Sequence, residues 1–170
     1  MNFFKDIRAL LIALWLGAAC FFSFAVAPSA FGVLPSRELA GTMVSRTLMI
    51  VNLSGLVIGL IVLAASFVKQ NAIKSPLIWL ERFLLAVLIA ACAVGQFVFG
   101  IWLAYVKTQI GRPIDEVAAD DPLRLQFNNL HEYSVWVLIT GMIAALIAFF
   151  MIARKTEKPA PVAEIPQFKF

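Results

Sequence analysis

Polar residues punctuate this chain at long intervals, and four apolar runs lie between them at 9–27, 47–68, 83–106 and 134–153. At 1.5 Å of rise per residue, runs of this length reach about 28 to 36 Å as helices, against a hydrocarbon core of about 30 Å. The pattern predicts an all-α, integral membrane four-helix bundle over 1–153. A charged tail, 154–170, follows, in which Pro159, Pro161 and Pro166 predict an extended chain.

The segments between the runs refine this picture. The first run ends in Ala25-Val26-Ala27, the A-x-A form of a signal-peptide cleavage site. Cleavage there would leave Pro28 as the first mature residue, and three apolar runs follow, so the segment is expected to remain as an anchor. Ahead of the second run, Pro35-Ser36 suits a helix start. Leu39, Met43, Thr47 and Ile50 then share one face, which predicts a helical lead-in at the membrane interface. A second lead-in, Leu123 to Tyr133, precedes the fourth run, and the aspartates of Asp120-Asp121-Pro122 are expected to cap it. Ser75-Pro76 predicts the start of the third helix.

Small residues within the runs predict where helices approach closely. Gly55 and Gly59 form a GxxxG pair, and Ala86, Ala90, Ala91 and Gly95 form a small-residue surface on the third helix. Packing within the chain and dimerisation are both open to the GxxxG pair. Asn52 and Ser54 need polar partners away from lipid, and Gln96 is expected to bond between helices.

Composition agrees with a membrane domain: 62% of residues are hydrophobic and 14% charged, against about 25% charged in a soluble domain, and mean hydropathy is +0.90. The net charge of +4 does not mark a nucleic-acid surface, because the basic residues flank the apolar runs. Nine of the fourteen Lys and Arg lie at the N-terminus, between 69 and 82, and in the tail. That bias predicts cytoplasmic N- and C-termini in a multi-pass protein of the cell membrane, the inner membrane if bacterial. Trp102, Tyr105, Tyr133 and Trp136 would form the outer aromatic belt, with Trp79 on the inner side. Cys20 and Cys92 fall inside runs without a paired spacing, so neither a disulfide framework nor a zinc site is expected. Each half reads as run, outer segment, lead-in, run, which is open to a parallel two-helix duplication.

Chemistry is sparse. On a helix Arg124, Asn128 and His131 fall within about 60° of one another, with Ser134 about 60° further. This polar patch at membrane entry carries the chain's single histidine. Three roles stay open for His131: hydrogen bonding within the bundle, proton transfer, or ligation of a metal or of a single-histidine haem or chlorophyll-type pigment. One histidine excludes bis-histidine haem. The acidic connection 107–121 lacks the alternating ligands of a calcium loop. No nucleophile with its base and no phosphate-binding glycine loop is present, so no enzymatic activity and no resident cofactor is expected.

Trp15-x-Gly17, Phe21-Phe22-x-Phe24, Ala27-Pro28-x-x-Phe31 and Ala40-Gly41 stand in the first half, and Phe127-x-x-Leu130-His131-x-x-Ser134 opens the last helix. In this order and spacing the chain resembles the transmembrane protein 205-like family, a membrane domain of unknown function. The resemblance implies a four-helix bundle with Trp15, Gly17, Pro28, Phe31, Gly41, Phe127, Leu130, His131 and Ser134 at motif positions. It brings no established reaction, substrate or cofactor. Two functional expectations follow. One is an accessory or scaffold subunit in a lipid bilayer, packed on other membrane subunits of a respiratory or photosynthetic complex, or on its own copies. The other is a small-solute transporter or channel entered near His131.

Overall fold

The structure is a computed structural model that describes residues 3–67 and 76–154. It is helical, without strands among the described residues, and is built from four helices long and apolar enough to cross a membrane. These are α1 (Phe3–Val33), α2 (Arg37–Ala65), α3 (Pro76–Ile110) and α4 (Pro122–Ala153). The chain is thus a multi-pass membrane protein. The expected limit of the second run at 68, the Ser75 cap and the tail from 155 lie outside the described residues.

All four helices are longer than the apolar runs within them. The lead-ins are continuous with α2 and α4. Ser36 caps α2 by accepting from the Leu39 amide at 3.2 Å. Asp121 caps α4 by accepting from the amides of Leu123 at 2.8 Å and Arg124 at 3.4 Å, with Pro122 at the first helical position, where a missing N–H costs nothing. At the end of α3, Gly111 takes φ +65° and its amide returns to the Lys107 carbonyl at 3.3 Å, a left-handed stop that an L side chain would resist.

The first run was expected to end at Ala27, yet α1 runs through Pro28 to Val33. A five-residue π segment, Phe22–Val26, permits this: the Ala27 amide bonds to Phe22, five residues back. In an α-turn the Pro28 ring would press on the carbonyl four residues back and offer it no N–H. The wider π turn relieves both. A second π segment, Val94–Gly100, occupies the corresponding place in α3 without a proline.

α2 and α4 each pack on both α1 and α3, so that α1 and α3 face each other across the bundle axis. The core contains Ile12, Trp15, Ala19 and Phe22 from α1, Val51 and Val62 from α2, Leu84, Leu85, Leu88 and Cys92 from α3, and Ala144, Ala145, Ala148 and Ile152 from α4. In lipid such helices associate through close packing and hydrogen bonds, since burial from water supplies no drive between apolar surfaces already in hydrocarbon.

Polar contacts close the two ends differently. At one end Arg8 pairs with Glu81, both nearly buried, Lys5 donates to the Arg154 carbonyl, and Arg82 donates to the Ser66 hydroxyl and carbonyl at 3.2 and 3.1 Å. Arg82 also lies over the Phe67 ring, 3.9 Å from its centroid. The start of α1, the end of α2, the start of α3 and the end of α4 therefore share this end. At the other, Arg37 meets Asp115 at 3.6 Å and Lys107 meets Glu38 at 3.8 Å, all exposed or half-exposed.

The halves α1–α2 and α3–α4 share a plan. Ala18-Ala19-Cys20 precedes the first π segment, and Ala90-Ala91-Cys92 precedes the second by the same single-residue gap. Buried positions 55, 59, 62 and 66 at the end of α2 recur with identical spacing at 141, 145, 148 and 152 in α4. This extends the duplication open to the sequence into the helix geometry and burial pattern.

Candidate functional site

Trp15 is the largest fully buried side chain, 2% exposed. An indole N–H within apolar packing needs an acceptor, and Trp15 Nε1 donates to the Val51 carbonyl of α2 at 2.9 Å. Its ring fits because the facing Gly55 has no side chain. A Cβ at Gly55 would press into the indole and come within 2.7 Å of Cys92 Sγ. One at Gly141 would reach 3.1 Å from the Ala91 Cβ and 4.0 Å from Trp15 Cη2. Gly55 and Gly141 hold equivalent places in the two halves: the first makes room for the indole, the second for Ala91 beside it.

Beside this contact lies a cavity at mid-length of the helices, bordered by all four. Trp15, Leu48, Asn52, Ala91, Cys92, Gly95, Ser134, Leu138 and Gly141 line it. Asn52 is 4% exposed, and among the described residues its amide has no hydrogen-bond partner. Its Nδ2 would lie 3.3 Å from a Cβ at Gly95, so that glycine leaves the amide its room. The hydroxyls in the spans are settled locally: Ser23 bonds to the Ala19 carbonyl at 2.8 Å, Ser54 to Val51 at 3.0 Å and Thr140 to Trp136 at 2.9 Å. The lining offers a carboxamide, a hydroxyl and a thiol but no carboxylate or imidazole. Such a set suits hydrogen bonding rather than proton abstraction or metal ligation, and no group of three or more His, Cys, Asp or Glu comes together among the described residues.

The polar patch expected at the head of α4 does not converge. Arg124 turns back to donate to the Val117 carbonyl, pinning the preceding connection. Asn128 and His131 are exposed on the outer face of the bundle. Ser134 alone reaches the cavity, its hydroxyl donating to the His131 carbonyl at 2.7 Å. Of the motif positions, Trp15 and Leu130 are buried, Phe127 is half-buried, Phe31 and Pro28 are exposed, and Gly17 and Gly41 face open space.

The small-residue set divides in two. Gly55 and Gly59 are consumed within the bundle, Gly59 lying where a Cβ would meet Ile89 Cγ1 at 2.7 Å. Ala91 and Gly95 border the cavity. Ala86 and Ala90, expected on the same packing surface, are exposed instead, because Leu84, Leu85, Leu88 and Cys92 take the inward face of α3. Gln96, expected to bond between helices, lies half-buried in the π segment and makes no such bond among the described residues.

Sequence reasoning noted Asn52 as a polar group in need of a partner and Cys92 as a buried thiol, but did not bring them together. The available signal was spacing: 52, 55 and 59 recur at i, i+3 and i+7, one helix face shared by an amide and two glycines.

Among known families, the model described as a domain of unknown function (DUF4149) matches residues 10–112, which takes in Trp15, Asn52 and Cys92 but not Ser134. No curated protein and no solved structure matches the chain.

Proposed function

The chain belongs to the DUF4149 family, and from that premise we propose that it is a non-catalytic accessory subunit, a compact bundle that docks on other membrane proteins through the outward face of α3. The observation that carries this reading is the exposure of Ala86 and Ala90, one turn apart on that face. Small residues at i and i+4 let a second helix approach closely enough for backbone contact, and the bundle leaves these two outside while it uses Gly55, Gly59 and Gly95 itself.

Within this reading the cell membrane is the location and the termini face the cytoplasm, as the distribution of Lys and Arg supports. The finer likeness to the transmembrane protein 205-like family rests on the motif residues on either side of the matched region's end. A haem or chlorophyll-type pigment on exposed His131 would sit at the bundle's outer surface, against a partner rather than in the core.

Size-exclusion of protein extracted from its native membrane in mild detergent, with visible absorption recorded, tests the proposal. The native chain is expected in a particle much larger than a monomer, and A86L/A90L is expected to elute alone. Elution of the native chain as a colourless monomer would sink the reading.

A further inference from the structure

We propose that the cavity beside Asn52 is a binding site for an uncharged, water-sized molecule that both donates and accepts hydrogen bonds, with water the occupant to be tested. The site is inside the bundle and does not depend on the outward face of α3.

Three observations carry it. A carboxamide 4% exposed has no partner among the described residues and points into a space bordered by all four helices. In hydrocarbon such a group left unsatisfied costs several kilocalories per mole, so evolution of a membrane core removes it or supplies a partner. Next, Gly95 and Gly141 keep the space open, where any side chain would crowd Asn52 or Ala91. Finally, Ser134 lines the same space, and its hydroxyl, having donated its proton to the His131 carbonyl, is left with lone pairs alone.

These groups define the ligand. Asn52 presents an acceptor at Oδ1 and donors at Nδ2, and Ser134 presents an acceptor, so the occupant must donate and accept together. Water meets this by donating to Asn52 Oδ1 and Ser134 Oγ while accepting from Nδ2. The lining residues carry no formal charge, so an ion at this depth would lack a counter-charge. The space admits a molecule the size of water. A molecule held there would join α2 to α4.

The test is water-to-amide Overhauser spectroscopy on the full chain in detergent micelles, with asparagine labelled in nitrogen-15 and Asn52 assigned through its backbone. Assignment on the native protein means that no variant has to fold. The expected result is a cross-peak between water and Asn52 Nδ2–H with the sign of a long-lived internal water, at least halved in S134A. Absence of that cross-peak, contacts to detergent methylenes in its place, or an undiminished peak in S134A would overturn the proposal.

Discussion

At Trp15 one residue couples three helices, and the coupling depends on what its neighbours lack. The indole needs an acceptor and finds the Val51 carbonyl. It needs space and finds Gly55. Two glycines that look alike in sequence should therefore respond oppositely to alanine. G55A forces a methyl into the indole and the Cys92 sulfur, and overpacking of this kind costs about 1–3 kcal/mol. G17A, at a helical position with open space around it, should be neutral or stabilising by about 0.5–1 kcal/mol, the usual advantage of alanine over glycine within a helix. Reversible unfolding in mixed micelles, following tryptophan fluorescence, would show a loss of stability for G55A and none for G17A. The sequence alone could mark both glycines as small; it could not say which one faced a tryptophan, because that depends on the rotation of each helix about its axis.

At the scale of elements, the four helices and both lead-ins were legible because long apolar runs and capping chemistry are local properties. The Asp121 cap illustrates this: D121A removes the acceptor for two amides at the head of α4 and should cost about 1 kcal/mol. Amide exchange should rise at Leu123 and Arg124 while that of the span beyond stays unchanged. What was not legible is the phase of the helices. A π segment inserts a wide turn, and everything beyond it is rotated relative to an unbroken α-helix. Pro28 was a usable signal for the first such segment. The second has only Gly95 and Gly100 within it, residues equally at home in a regular membrane helix. The inward and outward sorting of Ala86, Ala90 and Ala91 eluded a reading by residue type for a similar reason: adjacent Ala90 and Ala91 point about 100° apart, and only the packed neighbours decide which of them is inside. The cavity inherits this difficulty, since it exists only once Asn52, Gly95 and Ser134 have been brought together from three helices.

For the whole molecule, the two ends differ in how firmly they are held. The Arg8–Glu81 pair is nearly buried and ties α1 to α3 across the axis, so losing either partner strands a charge, at about 3–5 kcal/mol for a buried pair. The exposed pairs Arg37–Asp115 and Lys107–Glu38 at the other end are each worth about 0–1 kcal/mol and weaken with salt. The motif residues Pro28, Phe31, Gly41, Phe127, Leu130 and His131 lie toward that less firmly held end, which is also where the lead-ins extend α2 and α4 past their apolar runs.

The repeated plan of the two halves has a consequence for how the chain can be taken apart. Each half is a helix pair that enters and leaves at the same end, and the contacts that hold Trp15 cross from one pair to the other. The halves are thus two pieces of one lock rather than two successive domains. A break introduced between 67 and 76 should leave fragments that insert separately and find each other in the bilayer, restoring the fluorescence of a buried Trp15 when co-expressed. Either fragment alone should lack it, and failure of the pair to co-purify would show that covalent continuity, not complementarity, holds the bundle together.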